Sequence, residues 1–451
     1  MIDVIVIATS DLGDRSYVVH DGQHAVVVDP QRDLDRVQTV LEQRQLSCEL
    51  VVETHIHNDY VSGGLELARR TGARYAVAAD DDVAFDRVPV RDGDVLTVGA
   101  LSVSVLSTPG HTDTHLAYLV SDGSSRPAVF TGGSLLFGSV GRTDLVSPER
   151  TEEMTHAQYH SAKRLAAELV AETAVYPTHG FGSFCSSGSA SGGDDSTIAI
   201  ERARNDALTA TDEDSFVDKL IAGLTAYPAY YAHMGARNRQ GAEAADLSAP
   251  EPVDGDQLRK RLAAGEWVVD LRDRTVFAAQ HIGGTIGIPL GQQFSTYLGW
   301  LIPWGTPLTL IADSPAEIAQ AQRQLVRIGI DRPDGAATGD IDTLARPDGT
   351  LGYPRVTFAD VAASMPQAPA DVILDVRRQD ERAQGAIPGS AHIPLHSLLP
   401  RLAELPEGRL WVHCGSGFRA GIAASLLARA GHAVVYIDDD FSAADEAGLV
   451  G

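Results

Sequence analysis

One stretch of this chain occurs twice, and the repeat limits the folds open to its second half. Trp267-Val268-Val269-Asp270-Leu271-Arg272 recurs as Val372-Ile373-Leu374-Asp375-Val376-Arg377. His281-Ile282-Gly283-Gly284-Thr285-Ile286-Gly287-Ile288-Pro289 recurs as Ala386-Ile387-Pro388-Gly389-Ser390-Ala391-His392-Ile393-Pro394. Each copy continues into an apolar strand, Leu308 to Ile311 and Leu410 to His413, and then a helical stretch. A period of about 100 residues is long enough for each copy to close its own core, so the pattern reads as duplicated small α/β domains and not as a solenoid. The chain has 451 residues. At roughly 150 residues per domain, that length accommodates about three.

The first 180 residues alternate short Val/Ile-rich segments with turns and helical patterns, as in Ala25 to Pro30, Leu50 to Val52, Arg74 to Val77, Leu101 to Val105 and Ala128 to Thr131. A Gly/Ser/Asp-rich loop, Gly182 to Asp195, contains Cys185. A helical region is expected from Ser196 to Leu224, and Gly241 to Asp254, rich in Ala, Pro and acidic residues, reads as a linker. The expected domains are 1–245, 253–348 and 355–451.

A net charge of −25 argues against nucleic acid or an anionic membrane as partner, because neither polyanion is attracted to such a surface. No apolar stretch approaches the roughly 18 residues of a membrane span, and Leu298 to Trp304 is too short. Met1 to Ile7 lacks a basic region and reads as a first strand, not a signal peptide. The three cysteines, Cys48, Cys185 and Cys414, are too few and too scattered for a disulfide framework, which points to a reducing cytoplasm. Cys48, beside a buried strand, reads as a core residue.

Two sites carry chemistry. Thr54-His55-Ile56-His57-Asn58-Asp59 follows the apolar run ending at Val52, and alternation along a strand end sends His55, His57 and Asp59 to one face as metal ligands. Pro109-Gly110-His111 and Pro177-Thr178-His179-Gly180 supply two further histidines in turns after strands. Near the C-terminus, Cys414-Gly415-Ser416-Gly417-Phe418-Arg419 lies between a strand and a helical run. Glycines let such a loop curl its N–H groups inward, and with the helix end they stabilise a thiolate or persulfide anion. Arg419 adds a cation able to hold an anionic sulfur donor.

The segment 355–451 resembles the rhodanese family through Asp375-Val376-Arg377, Gly389-Ser390-Ala391-His392-Ile393-Pro394 and the Cys-x-x-Gly-x-Arg loop. The resemblance implies a sulfurtransferase in which Cys414 carries sulfane sulfur and Gly415, Ser416, Gly417 and Phe418 line the anion cradle. Aligning the first repeat by its strand sets Asp313 opposite Cys414, so the middle domain resembles an inactive rhodanese.

His55, His57, Asp59, His111 and His179 match the ligand series of the metallo-β-lactamase superfamily. More narrowly, Glu53-Thr54-His55, Pro109 to Thr112, Phe130-Thr131-Gly132 and Gly141 to Asp144 resemble its persulfide dioxygenase branch, whose bacterial members fused to one inactive and one active rhodanese share this layout. The resemblance implies an αββα fold followed by two α/β rhodanese-like domains. It also implies one Fe(II) per chain, held by His55 and His111 with His57, Asp59 and His179 around them. The implied substrates are a low-molecular-weight persulfide such as glutathione persulfide and O2, with sulfite and thiosulfate as the linked species, in sulfide detoxification by a homodimer. Arg142 is a candidate for a substrate carboxylate or for bracing through Asp144, and Cys185 for receiving sulfur near the metal. Two departures stand out: Gly133 replaces the aspartate that follows Thr-Gly in the family, and Tyr60 replaces a histidine. Three outcomes stay open. They are a three-histidine site from His55, His57 and His111, or with His179 replacing one of them, suited to Zn(II) and thioester or lactone hydrolysis as well as to iron; iron held with Asp59 as an added ligand; and a sulfur carrier with an impaired metal domain.

Overall fold

The computed structural model describes residues 2–187, 193–364 and 371–451. Residues 188–192 of the Gly182–Asp195 loop, and 365–370, lie outside the described residues. The chain divides into two compact units, Met1–Asp246 with Leu325–Ile330, and Leu247–Gln324 with Asp331–Gly451.

The first unit holds two sheets. One contains β1 (Asp3–Thr9), β2 (Asp14–His20), β3 (His24–Val28), β4 (Ser47–Val52), β5 (Arg74–Ala78) and β6 (Val88–Val90), in sequence order. The other contains β7 (Val95–Val98), β8 (Leu101–Ser107), β9 (Leu116–Ser121), β10 (Ala128–Gly132) and β11 (Ala174–Pro177), in the order β11-β10-β9-β8-β7. Alternation within the strands makes each sheet apolar on both faces. Val26, Val28, Leu50 and Val52 join Val103, Val105, Tyr118 and Phe130 in one core between the sheets. The alternate residues Ala25, Val27 and Val51 face outward and pack under the helices Asp35–Arg44 and Gly64–Thr71, with Cys48 among them. Val129 and Val175 pack likewise against Ala162 and Leu165 of the helix Thr151–Glu168. The result is an αββα sandwich.

The helical region expected over Ser196–Leu224 is three helices, Ile198–Arg204, Asp206–Thr209 and Glu213–Gly223. The breaks have side-chain causes. Asn205 caps the second helix by accepting from the Ala207 N–H while donating to the Leu136 and Ser139 carbonyls, and Asp212 caps the third through the Ser215 N–H.

The second unit holds two parallel sheets: β12 (Trp267–Asp270), β13 (Ile286–Gly287), β14 (Leu308–Ala312) and β15 (Gly335–Thr338) in the order β13-β12-β14-β15, then β16 (Arg355–Val356), β17 (Val372–Asp375), β18 (Ala391–His392), β19 (Leu410–His413) and β20 (Val434–Ile437) in the order β16-β20-β19-β17-β18. The Asp-x-Arg signature is a brace in both repeats. Arg272 Nη2 lies 2.6 Å from Asp270 and donates to the Gln280 carbonyl, as Arg377 Nη2 lies 2.8 Å from Asp375 and donates to the Gly385 carbonyl.

Strand register corrects one expectation. Trp267 pairs with Leu308 and Val372 with Leu410, so the residue equivalent to Cys414 is Ala312, one place before Asp313. The turn that follows is also shorter. Asp313 and Ser314 alone precede the helix Pro315–Arg327, whereas Gly415, Ser416 and Gly417 precede the helix Phe418–Arg429. Ala312 offers no thiol at that position, and the turn after it is one residue shorter than the loop after Cys414.

Candidate metal centre and sulfur loop

Strand ends bring the histidines together. His55 follows β4, His111 lies between β8 and β9, and His179 follows β11, all fully buried. Asp29, just past β3, ties these ends. Its carboxylate accepts from the Thr54 N–H and hydroxyl, each at 2.7 Å, and from the Thr178 hydroxyl at 2.5 Å. Asp29 takes φ of 50°, a left-handed conformation that aspartate tolerates better than most residues.

The partners of the three rings define their tautomers. His55 Nδ1 lies 2.9 Å from Thr54 Oγ1, whose own proton goes to Asp29. His111 Nδ1 lies 2.7 Å from the Arg142 carbonyl, and His179 Nδ1 2.9 Å from Asp14. Each partner accepts, so each Nδ1 carries the hydrogen when the ring is neutral and each Nε2 presents its lone pair. The Nε2 atoms converge. Those of His55 and His179 are 3.3 Å apart, that of His111 is buried without a hydrogen-bond partner, and the three rings offer ligand atoms within 4.8 Å of one another. One orphaned buried nitrogen beside two that have only each other, each ring oriented by an acceptor behind it, fits a divalent metal. His55, His111 and His179 are the residues that would hold such an ion.

Burial and the surrounding imidazoles hold His55 well below its ordinary range, and burial with His179 takes His111 down to about 3. His179 goes the other way. Burial opposes its charge, but Asp59 and Asp14 outweigh it and raise the ring to about 10. Without metal, His179 therefore holds a second proton at Nε2, toward His55, and that is the proton a metal displaces.

His57 and Asp59 stand beside this set. His57 Nε2 lies 3.0 Å from the Tyr60 hydroxyl and 3.3 Å from both Asp29 and Glu53, with its ring stacked on Tyr60 at 4.2 Å. Burial disfavours its charge, but Asp29 and Glu53 raise it to about 9. Tyr60 thus belongs to the group that engages His57. Asp59 reaches Nδ1 of His179 at 3.1 Å, behind the nitrogen that faces the cluster. His57, Asp59 and His179 also lie close enough to form a separate ligand group, as do Asp29, Glu53 and His57.

Gly133 explains the seat of His111. A Cβ on Gly133 would lie 2.3 Å from His111 Cδ2, and one on Gly141 2.7 Å from His111 Nδ1. The ring occupies the volume that a side chain at either position needs. His115 was not singled out from the sequence. It stacks on His55 at 4.9 Å, and its Nε2 accepts from the Gly133 N–H at 3.0 Å, so it supports the site without a nitrogen to spare. Its position four residues after His111 was the available signal.

For two residues whose roles the sequence left open, the structure favours the structural alternative. Arg142 is committed to structure: it pairs with Asp144 at 2.7 and 2.8 Å and donates to the Phe184 and Thr225 carbonyls, leaving no face for a substrate carboxylate. Cys185 is fully buried, its thiol 3.7 Å from the Tyr231 hydroxyl. Burial, with Asp59 and Asp14 nearby, pushes that thiol well up, the reverse of an activated nucleophile.

At the sulfur loop, Cys414 is buried at the end of β19. Gly417 takes φ of 80°, and a Cβ there would meet Asp438 Oδ1 at 2.3 Å. The Gly415 carbonyl accepts from the Phe441 N–H and the Gly417 carbonyl from the Tyr436 hydroxyl, which turns the N–H groups of Ser416 and Phe418 the opposite way. Ser416 is exposed and Phe418 half-buried. The Arg419 guanidinium is held by Glu381 at 2.5 and 2.6 Å.

Among known proteins, a hydroxyacylglutathione hydrolase of Prochlorococcus marinus is 37% identical over 164 residues, covering 35% of this chain and 60% of that protein. A second, of Synechococcus sp., is 35% identical over 164 residues and 62% of its length, so the chain spans about three fifths of the curated relatives it matches. The crystal structure of a metallo-beta-lactamase from Staphylococcus aureus is 27% identical with a TM-score of 0.67, covering 75% of this chain and 99% of that one. Residues 12–179 match the metallo-beta-lactamase superfamily and residues 358–447 the rhodanese-like domain, so this chain joins a metallo-beta-lactamase fold to a rhodanese-like domain.

Proposed function

We propose that this protein is an iron-dependent persulfide dioxygenase joined to a sulfurtransferase, with the middle repeat an inactive rhodanese. The observation that carries the reading is the convergence of three Nε2 lone pairs, with no carboxylate among them, in one chain with the Cys414 loop. Three neutral imidazoles leave both charges of a divalent ion unneutralised, which favours an anionic sulfur ligand. A bound Fe(II) supplies open coordination positions and the electron transfers that O2 requires. The net change is RSSH + O2 + H2O → RSH + H2SO3: the outer sulfur loses four electrons, O2 gains them, and the carrier leaves as thiol. His55, His111 and His179 hold the ion. Asp14, Thr54 Oγ1 and the Arg142 carbonyl orient their rings. Sulfite is then a sulfur acceptor for a Cys414 persulfide, which links the two chemistries through thiosulfate.

A second reading rests on the similarity to hydroxyacylglutathione hydrolases: three imidazoles equally suit Zn(II), whose bound water would hydrolyse a glutathione thioester. Metal analysis of protein purified without added metal, followed by O2 uptake with glutathione persulfide, separates the two. Iron, with uptake lost in His111→Ala, is the expected result. Absence of uptake in iron-replete protein overturns the dioxygenase, and zinc with thioester turnover replaces it by the hydrolase.

A further inference from the structure

The arginine that closes the sulfur loop offers no free charge to a donor. Arg419 Nη1 and Nη2 lie 2.5 and 2.6 Å from Oε2 and Oε1 of Glu381, a bidentate pair. The pair rests on the residue next to Cys414. A Cβ on Gly415 would meet Arg419 Nη2 at 3.2 Å and Glu381 Oε1 at 3.4 Å, so the carboxylate stands about as close to the loop as the guanidinium. Neighbouring cations are also matched. Arg378 pairs with Asp380 at 3.0 Å and lies 3.7 Å from Glu381, Arg377 and Arg382 both turn to Asp375, and Arg274 is held by Asp438 at 2.9 Å. What remains for an anion is the loop N–H groups and the start of the helix Phe418–Arg429. Rings flank this loop. Phe418 packs on Tyr297 of the middle repeat at 5.6 Å, and Trp300 of the same helix stacks on His396 at 5.0 Å.

We propose that Glu381 is the donor-selecting residue of the sulfur loop: by compensating Arg419 it makes Cys414 take sulfur from an organic persulfide bearing one negative charge at its reacting end, in preference to a small inorganic dianion such as thiosulfate. This rests on the reading that Cys414 transfers sulfur. The step is Cys414–SH + RSS⁻ → Cys414–SS⁻ + RSH. Sγ forms a bond to the outer sulfur as the RS–S bond breaks, the carrier sulfur leaves with that electron pair, and the thiol proton ends on it. No external oxidant or reductant enters. An uncompensated cation beside the loop would hold two oxyanion charges more tightly than one, and Glu381 compensates it.

The test is sulfur transfer to cyanide by the full-length protein, from thiosulfate and from an alkyl persulfide lacking carboxylates, in wild type, Glu381→Gln and Glu381→Asp. Glu381→Gln is expected to lower KM for thiosulfate by about fivefold or more while moving the persulfide KM by less than about twofold. Glu381→Asp, which keeps the charge, is expected to retain the wild-type preference. An unchanged thiosulfate KM, or equal changes for both donors as a merely bracing role would give, overturns the proposal. Should Glu381→Gln fail to fold, the wild type still decides: a lower KM for thiosulfate than for the alkyl persulfide overturns it. Absence of transfer from either donor, with Cys414→Ser indistinguishable from wild type, instead removes the sulfurtransferase reading itself.

Discussion

Gly133 has no side chain, and the imidazole of His111 fills the space it leaves. A carboxylate at this position would need the ring to move, so the glycine and the three-histidine cluster are one arrangement. Gly133→Ala is therefore expected to bind metal about 10–100-fold more weakly, measured by titration of the metal-free protein. An unchanged affinity would show that His111 has room to adapt. The histidines themselves were legible in the sequence because each sits in a turn directly after a strand. Their partners were not. Asp14 reaches His179 across 165 positions of sequence, and His115 and Asp29 act through hydrogen bonds that no local pattern announces.

At the scale of the element, β19 joins the loop chemistry to the core. Its last residue, His413, is buried between Phe358 and Phe441, with ring centroids at 5.6 and 5.4 Å. Burial lowers this imidazole from 6.5 to about 4, although Asp375 opposes the shift. The unfolded chain takes up a proton below pH 6.5 that the folded domain refuses until about pH 4. Across that window His413 costs about 1.4 kcal/mol of stability per pH unit as pH falls, and above it costs nothing. All four tryptophans, Trp267, Trp300, Trp304 and Trp411, lie in the second unit, so urea unfolding followed by tryptophan fluorescence reads this unit alone. The wild type is expected to lose more stability between pH 7 and pH 5 than His413→Gln; equal losses would contradict the assignment. Element reading from sequence succeeded for the repeated strands, where apolar runs are continuous, and failed where side chains set boundaries. Asn205 and Asp212 cut the expected helix, and the register of β14 moved the Cys414 equivalent from Asp313 to Ala312.

For the whole molecule, the two chemistries belong to separate compact units, the metal cluster in one and Cys414 in the other. Each site is built from its own strand ends. Cys414→Ser is accordingly expected to abolish sulfur transfer while leaving persulfide-dependent O2 uptake near the wild-type rate, and His111→Ala to do the reverse. Loss of both activities in either variant would refute that independence. Among the described residues, no helix is long and apolar enough to cross a membrane.

The order of motifs along the chain determined the folds, the histidines and the sulfur loop, because strand alternation, turn glycines and repeat spacing are local properties. Tertiary structure decided the rest. Only the folded chain set Asp14 behind His179, seated His111 over Gly133, committed Arg142 to Asp144 and joined Glu381 to Arg419. The polar pairings depend on which side chain a hydrogen-bonding atom meets once the fold brings one within reach, and the seat of His111 on the space that Gly133 leaves open.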